Sequence, residues 1–240
     1  MSTVSRSRTR SVRSELALLH NGDHLTQPEF HRRYEAYPED VKFELIGGTV
    51  YMASPQRETH SDYEDELGFV FGVYRRATPG VKAIHGATTI LGSESEPQPD
   101  LGLRILEEYG GRSRLTRKKY IEGPPELLAE ISHSTVAIDL HLKKADYEKA
   151  GVQEYLVVCV DERLLFWFDF KNQKSIVGNA QGIYRSHVFP GLWLHGTALL
   201  DLDSSQVEDV ARQGLASPEH TAFVERLRTA RRKRAPKRAR

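Results

Sequence analysis

A single cysteine, Cys159, stands among the 240 residues, inside the apolar run EYLVVCV. One cysteine cannot close a disulfide within its own chain, nor build a cysteine-based zinc site. The chain therefore reads as one suited to a reducing compartment, the cytoplasm. No stretch approaches the roughly 18 consecutive apolar residues that cross a bilayer. The opening MSTVSRSRTRSVRS lacks the apolar segment of a secretory signal. Its Arg and Ser without acids mimic an organelle transit peptide, but no amphipathic apolar face accompanies them. No internal repeat is present. The remainder is ordinary globular material: hydrophobic residues make up 39%, enough to bury a core in one large domain or two small ones.

The net charge of +1 conceals an asymmetry. Residues 1–14 hold four Arg and no acid, and residues 226–240 hold nine Lys or Arg and no acid. The body between them, 15–225, keeps 21 basic against 33 acidic residues. Like-charge blocks of this kind stay solvated and disordered. They also neutralise nucleic-acid phosphates without regard to sequence. The two readings are compatible.

Along the body, LTQPEFHRRYEAY predicts a short helix with Thr26 as N-cap and Pro28 in its first turn. VKFELIGGTVYMA gives two β-rich runs around Gly47-Gly48, the strongest hairpin signal. Leu67, Val70, Phe71 and Tyr74 recur at helical spacing. Short strands are expected at 81–84 and 87–91, then a strand PDLGLRIL from Pro99, a long loop over 107–125, and a strand ELLAEIS. A helix is expected over 139–150, ended by Gly151, followed by strands EYLVVCV and LLFWFDF. A final hairpin at 174–194 and a helix at 205–230 complete the pattern. Helices alternating with strands in this order predict an α/β to α+β domain, a mixed central sheet flanked by helices.

The chemistry centres on two carboxylates. Asp100 opens one strand and Glu130 lies near the end of the next, so pairing of the strands would bring both to one end of a sheet. Carboxylate and water oxygens are what Mg²⁺ prefers. A Pro-Asp pair at a strand start is, by itself, more often turn chemistry.

Several motifs in order strengthen the signal. Gly123, Pro125, Glu126, Leu127, Glu130, Ser134 and Thr135 are followed by Asp139, Lys143, Tyr147, Gly151, Val152, Glu154 and Tyr155. Upstream stand Glu44, Gly48, Ser54, Pro55 and His60, and FPGLWL follows near 189–194. Over roughly residues 25–195 this set resembles the Uma-type restriction endonucleases, a branch of the PD-(D/E)XK nuclease superfamily. The resemblance implies a restriction-endonuclease-like fold and hydrolysis of phosphodiesters in nucleic acid, DNA first, with Mg²⁺ or Mn²⁺. Asp100 and Glu130 would hold the metal, with Glu44 assisting.

The superfamily motif places a lysine two residues after the glutamate, where this chain has Ser132. The resemblance implies that the lysine has moved to Lys143, to position or help deprotonate the attacking water, or to stabilise the phosphate. The plainer alternative is that Asp139 and Lys143 form an exposed i,i+4 ion pair, with Lys144 as the adjacent competitor. Ser132 also keeps open a catalytically inactive nucleic-acid-binding or accessory protein on the same fold. For Glu44 the plain alternative is a solvent-facing strand residue. His60 could orient a phosphate, ligate metal or cap a helix, and His85, His133 and His141 receive no role. The cations at 112–119 are either phosphate contacts or solubilising loop charge. Phe166, Trp167, Phe168 and Phe170 read better as sheet packing than as base stacking.

The expected organisation is a basic, disordered tail at 1–14, a nuclease domain at 15–205, and a helix with basic tail at 206–240. No membrane partner is expected. A homodimer is the expected form if both strands of a duplex are cut symmetrically.

Overall fold

A computed structural model describes residues 18–38, 40–52 and 58–234. The basic segment 1–14, the motif residues Ser54 and Pro55, and the end beyond Arg234 lie outside the described residues.

Helix α1 (Gln27–Tyr34) follows Thr26, whose extended backbone starts the helix without a side-chain cap bond. The hairpin β1 (Phe43–Ile46) and β2 (Thr49–Met52) turns on Gly47 and Gly48, both with positive φ, a conformation that favours glycine. Phe43, Leu45 and Val50 point down onto Leu19 and Phe30, forming a small core of their own. Strand alternation therefore turns Glu44 to the opposite face.

Helix α2 (Glu58–Ala77) is followed by β3 (Val81–His85), β4 (Thr89–Ile90) and β5 (Leu101–Ile105). The segment read as a long loop contains a turn of 3₁₀ helix at Glu107–Tyr109 and two short strands, β6 (Arg114–Leu115) and β7 (Ile121–Glu122). With β4 these form a separate three-stranded sheet. Strand β8 (Leu127–Ser132) leads into a π-helical turn at Ile138–Lys143, which runs into α3 (Lys144–Ala150). Strands β9 (Glu154–Cys159), β10 (Leu164–Asp169) and β11 (Lys174–Ile176) then complete the main sheet. Its six strands lie in the order β11-β10-β9-β8-β5-β3, with β8 and β9 parallel and the other pairs antiparallel. The architecture is thus the expected mixed sheet flanked by helices.

Every residue of β8 and β9 is buried, as central strands covered on both faces should be. On one face, Leu67, Val70, Phe71 and Tyr74 of α2 pack on Leu101, Leu103, Leu127, Ala129 and Leu156. On the other, Leu128, Tyr155 and Val157 meet Tyr147 of α3. Gly102 lets β5 and β8 come close, because a Cβ there would sit 2.8 Å from the Leu127 carbonyl oxygen. The aromatic run divides as sheet packing requires: Trp167 is in the core, while Phe166, Phe168 and Phe170 stack nearly parallel on the other face.

The expected hairpin at 174–194 resolves differently. β11 adds to the main sheet, and β12 (Ile183–Arg185) pairs instead with β13 (Trp193–His195). After α4 (Gly196–Asp201), the single helix expected at 205–230 is two, α5 (Ser204–Leu215) and α6 (Pro218–Arg234). Pro218 opens α6, where a missing N–H is tolerated, and Ser217 lies in the break. Val207, Ala211, Phe223 and Leu227 of these helices join the main core. Cys159 is fully buried and its thiol is pushed up to about 11 by burial, which leaves it unreactive. No helix among the described residues is long and apolar enough to cross a membrane.

Candidate active site

The antiparallel register of β5 and β8 pairs Leu101 with Ala129. One step beyond the ladder, Asp100 comes level with Glu130, and its Oδ2 accepts the Ile131 N–H at 2.8 Å. Period-two alternation along β8 turns Glu130 to the face of Leu128, beneath the π-helical turn. There the Tyr147 hydroxyl donates to Glu130 Oε1 at 2.7 Å.

Lys143 descends onto the same spot. Its Nζ lies 3.1 Å from Glu44 Oε2, 3.1 Å from Glu130 Oε1 and 3.8 Å from Asp139 Oδ1. Asp139 and Lys143 are 2% and 6% exposed, so they are not a surface ion pair. Lys144, the adjacent competitor, turns away from the carboxylates and lays its ammonium 4.7 Å from the centre of the Phe168 ring. Glu44 is not a solvent-facing strand residue either: its second oxygen accepts the Gln98 N–H at 2.7 Å. Ser132, standing where the superfamily motif has lysine, donates to Asp139 Oδ2 at 2.7 Å, and Thr135 does the same at 2.6 Å. Asp139, named from the sequence as a motif residue and as the i,i+4 partner of Lys143 but given no task at the site, is part of this cluster.

These groups line a cleft of about 420 Å³, walled by the hairpin residues Tyr51 and Met52, by His60 and Glu64 of α2, and by His133. Its lining carries five carboxylates, Glu44, Glu64, Asp100, Glu130 and Asp139, against two lysines, Lys42 and Lys143. Burial pushes Glu130 well up from the ordinary glutamate range, and Asp100, Asp139 and Glu44 add to this against the pull of Lys143. Burial would lower Lys143, but Glu130, Glu44, Asp139 and Asp100 outweigh it and hold the ammonium charged well above the usual lysine range. His60 Nε2 lies 3.4 Å from Asp100 Oδ1. That hydrogen bond raises His60 against its burial. Burial acts to raise Asp100, and the His60 bond and charge, the Ile131 amide and Lys143 overcome it. The cleft thus gathers five carboxyl groups around the Lys143 ammonium and the His60 imidazole.

A second acidic cluster lies on the other face of the sheet. Glu154, Asp169 and His187 bring ligand-type atoms within 4.8 Å of one another. Its carboxylates are already occupied by protein donors. Glu154 accepts from Ser186 Oγ, the Trp167 indole and the His187 and Val188 amides. Asp169 accepts from Asn172 twice and from His187. The basic loop is likewise mostly engaged: Arg114 bonds Glu122, Lys118 bonds Glu35, and Arg112 bonds the Gly151 carbonyl.

The sequence matches the model of the Uma2 family, described as "Putative restriction endonuclease", over residues 28–201. The chain belongs to the Uma2 family. A solved structure titled as a putative nuclease belonging to DUF820 from Anabaena variabilis ATCC 29413 has the same fold, with a TM-score of 0.55. It is 17% identical, covering 71% of this chain and 97% of that one, so the likeness is one of fold. None of the curated proteins matches in sequence. For this Uma2 chain, membership and fold together support a nuclease-type activity, and the matched segment contains every residue of the cleft named above.

Proposed function

We propose that the protein is an endonuclease that hydrolyses phosphodiester bonds in DNA with a divalent cation, Mg²⁺ or Mn²⁺. The observation that carries this reading is the convergence of five carboxyl groups on one cleft, where Lys143 and His60 are the cations that touch them. The donor set fits a hard dication, since oxygen ligands from one or two carboxylates plus waters are what Mg²⁺ takes. Asp100 and Glu130 would hold it, with Glu44 completing the shell on the hairpin side. When bound, such a cation acidifies water and offsets the charge that builds on the phosphate.

The chain's own residues then have distinct tasks. The Ile131 amide and His60 fix the orientation of Asp100, and the Tyr147 hydroxyl fixes Glu130. Lys143 is held as an ammonium, so it has no lone pair with which to take a proton from water. Its task is to orient the attacking water or to hold a phosphate oxygen. Asp139, clamped by Ser132 and Thr135, keeps the lysine on that face. Two copies related by a twofold axis would cut both strands of a duplex.

The direct test compares plasmid, single-stranded DNA and RNA as substrates in Mg²⁺, in Mn²⁺ and in EDTA. The expected result is ion-dependent cleavage of DNA that EDTA abolishes. The inactive-accessory reading, for which Ser132 in the motif position is the observation, expects binding with no cleavage under any of these conditions.

A further inference from the structure

The cleft contains an imidazole that the reaction above leaves unused. His133 follows β8 directly, lines the cleft, and sets its ring 6.1 Å from that of His60. Its side chain is 10% exposed, and Nδ1 lies 3.2 Å from Asp161 Oδ1 on the turn between β9 and β10. Nε2 is buried and has no hydrogen-bond partner in the structure. An unsatisfied buried polar atom is destabilising, so one that persists calls for a reason such as a catalytic role. His60 is placed differently, with its Nε2 turned on Asp100.

The arrangement has two sides. Lys143 crowds against Glu44, Glu130 and Asp139. His60 stands on Asp100, and the His133 ring lies beside that of His60. Displacement at phosphorus places the attacking and leaving oxygens roughly in line, on opposite sides of the reacting atom. A carboxylate accepting from one ring nitrogen holds the proton there and fixes the orientation of the imidazole, so the other nitrogen is the one left to exchange a proton with a substrate.

We propose that His133 is a catalytic residue: the general acid that protonates the leaving sugar oxygen, oriented by Asp161. The inference rests on the phosphodiesterase reading. Water attacks phosphorus, the bond from phosphorus to the leaving sugar oxygen breaks, and its electron pair goes to that oxygen. The proton on His133 Nε2 passes to the same oxygen, leaving a neutral imidazole with its Nδ1–H on Asp161. The ring regains its proton from solvent before the next turnover.

The test uses a duplex whose cleavage position has first been mapped with the wild type. A second duplex replaces the leaving oxygen at that position with bridging sulfur, which departs as a thiolate and needs no proton. His133→Gln is expected to cut the oxygen duplex about 10²–10⁴-fold more slowly than wild type, and the sulfur duplex at close to the wild-type rate. Asp161 is 60% exposed, so Asp161→Asn keeps the test available should His133→Gln fail to fold. It is expected to show the same selective loss, smaller in size. Folded variants that slow on both duplexes alike, or on neither, overturn the role of His133. A wild type that cuts neither duplex in Mg²⁺ or Mn²⁺ overturns the phosphodiesterase reading instead.

Discussion

Two acidic clusters hang from one central sheet, three residues apart along the parallel pair β8 and β9 and on opposite faces. Glu130 pairs with Val157, and Glu154 pairs with Leu127. The Glu154–Asp169–His187 cluster has the tighter ligand spacing. Yet its carboxylates are saturated by hydroxyl, indole, amide and imidazole hydrogens, and a cation would have to displace them. The Asp100–Glu130 cluster is more open, is charge-rich, and borders a cleft. Proximity of ligand atoms does not by itself make a metal site; the difference between the two clusters is the cleft that Asp100 and Glu130 border. One cluster ties two strands and the 186–188 segment together, while the other leaves room to receive something.

The largest expected effect separates the two clusters outright. Asp100→Asn and Glu130→Gln each replace an anionic oxygen with a neutral amide, so Mn²⁺ binding by calorimetry and DNA cleavage should both collapse while the fold survives. Asp169→Asn should leave the binding isotherm unchanged. An Asp169 variant that loses the ion as completely as Asp100→Asn would falsify the contrast.

Next comes Lys143→Ala. Removing a charged group that steadies the reacting phosphate or water should slow cleavage about 10²–10³-fold. Ion affinity should hold or rise, because the carboxylates lose their resident cation. Taking one partner from a buried ion pair also destabilises by about 3–5 kcal/mol. Added Mg²⁺ should therefore raise the melting temperature of this variant more than that of wild type. A variant that no longer binds the ion would reassign Lys143 to holding the site open.

On the other face the effects should be on stability alone. Glu154→Gln puts an amide NH₂ against protein donors and should cost about 1–3 kcal/mol in urea unfolding, with cleavage at the wild-type rate. Asp169 adds a pH signature. Burial acts to raise it, but Asn172 and His187 outweigh burial and hold it below the ordinary aspartate value. A depressed acid contributes stability that is full above its unfolded pKa and is lost as pH falls through its folded one. The stability gap between wild type and Asp169→Asn should therefore be widest near neutrality and close in acid. A gap that widens with acidification would reverse the assignment.

The smallest effect concerns the basic end. Leu227 of α6 is part of the core, so truncation must fall after Arg234 and not at 226. Removing 235–240 deletes three cations, Lys237, Arg238 and Arg240. The slope of log K against log salt for duplex binding should shrink by at most about 0.9 for each phosphate that is no longer neutralised. An unchanged slope would leave phosphate binding to the cleft and to α6.

The legible part of the site was the part written along single strands. Asp100 and Glu130 could be paired because one opens a strand and the other nearly closes its antiparallel neighbour. Lys143 and Glu44 were both reached through family likeness. The Glu154–Asp169–His187 cluster had no local signal, because Glu154 meets Asp169 only through the β9–β10 register and His187 arrives from a separate segment. His133 was silent for a similar reason: its meaning depends on Asp161, 28 residues away. The break between α5 and α6 did have a signal, in Ser217-Pro218. The π-helical turn had none, since the pattern of apolar residues over 139–150 fits an ordinary helix as well.

That turn sets a limit on how the gene can vary in length. In an α-helix, residues four apart drift by about 40° around the axis. A widened turn packs in more residues per revolution and reduces that drift, so Asp139, Lys143 and Tyr147 can all reach the same side of the sheet. A single-codon deletion between Ile138 and Lys143 that left the turn wide would rotate everything after it by about 100°. Lys144 or a neighbour would then move toward the carboxylates in place of Lys143, and Tyr147 would swing off Glu130. Insertions should be tolerated in the exposed turn at 117–118 and a deletion lethal to activity in this one stretch of six residues, where every side chain could remain chemically intact and still be aimed wrongly.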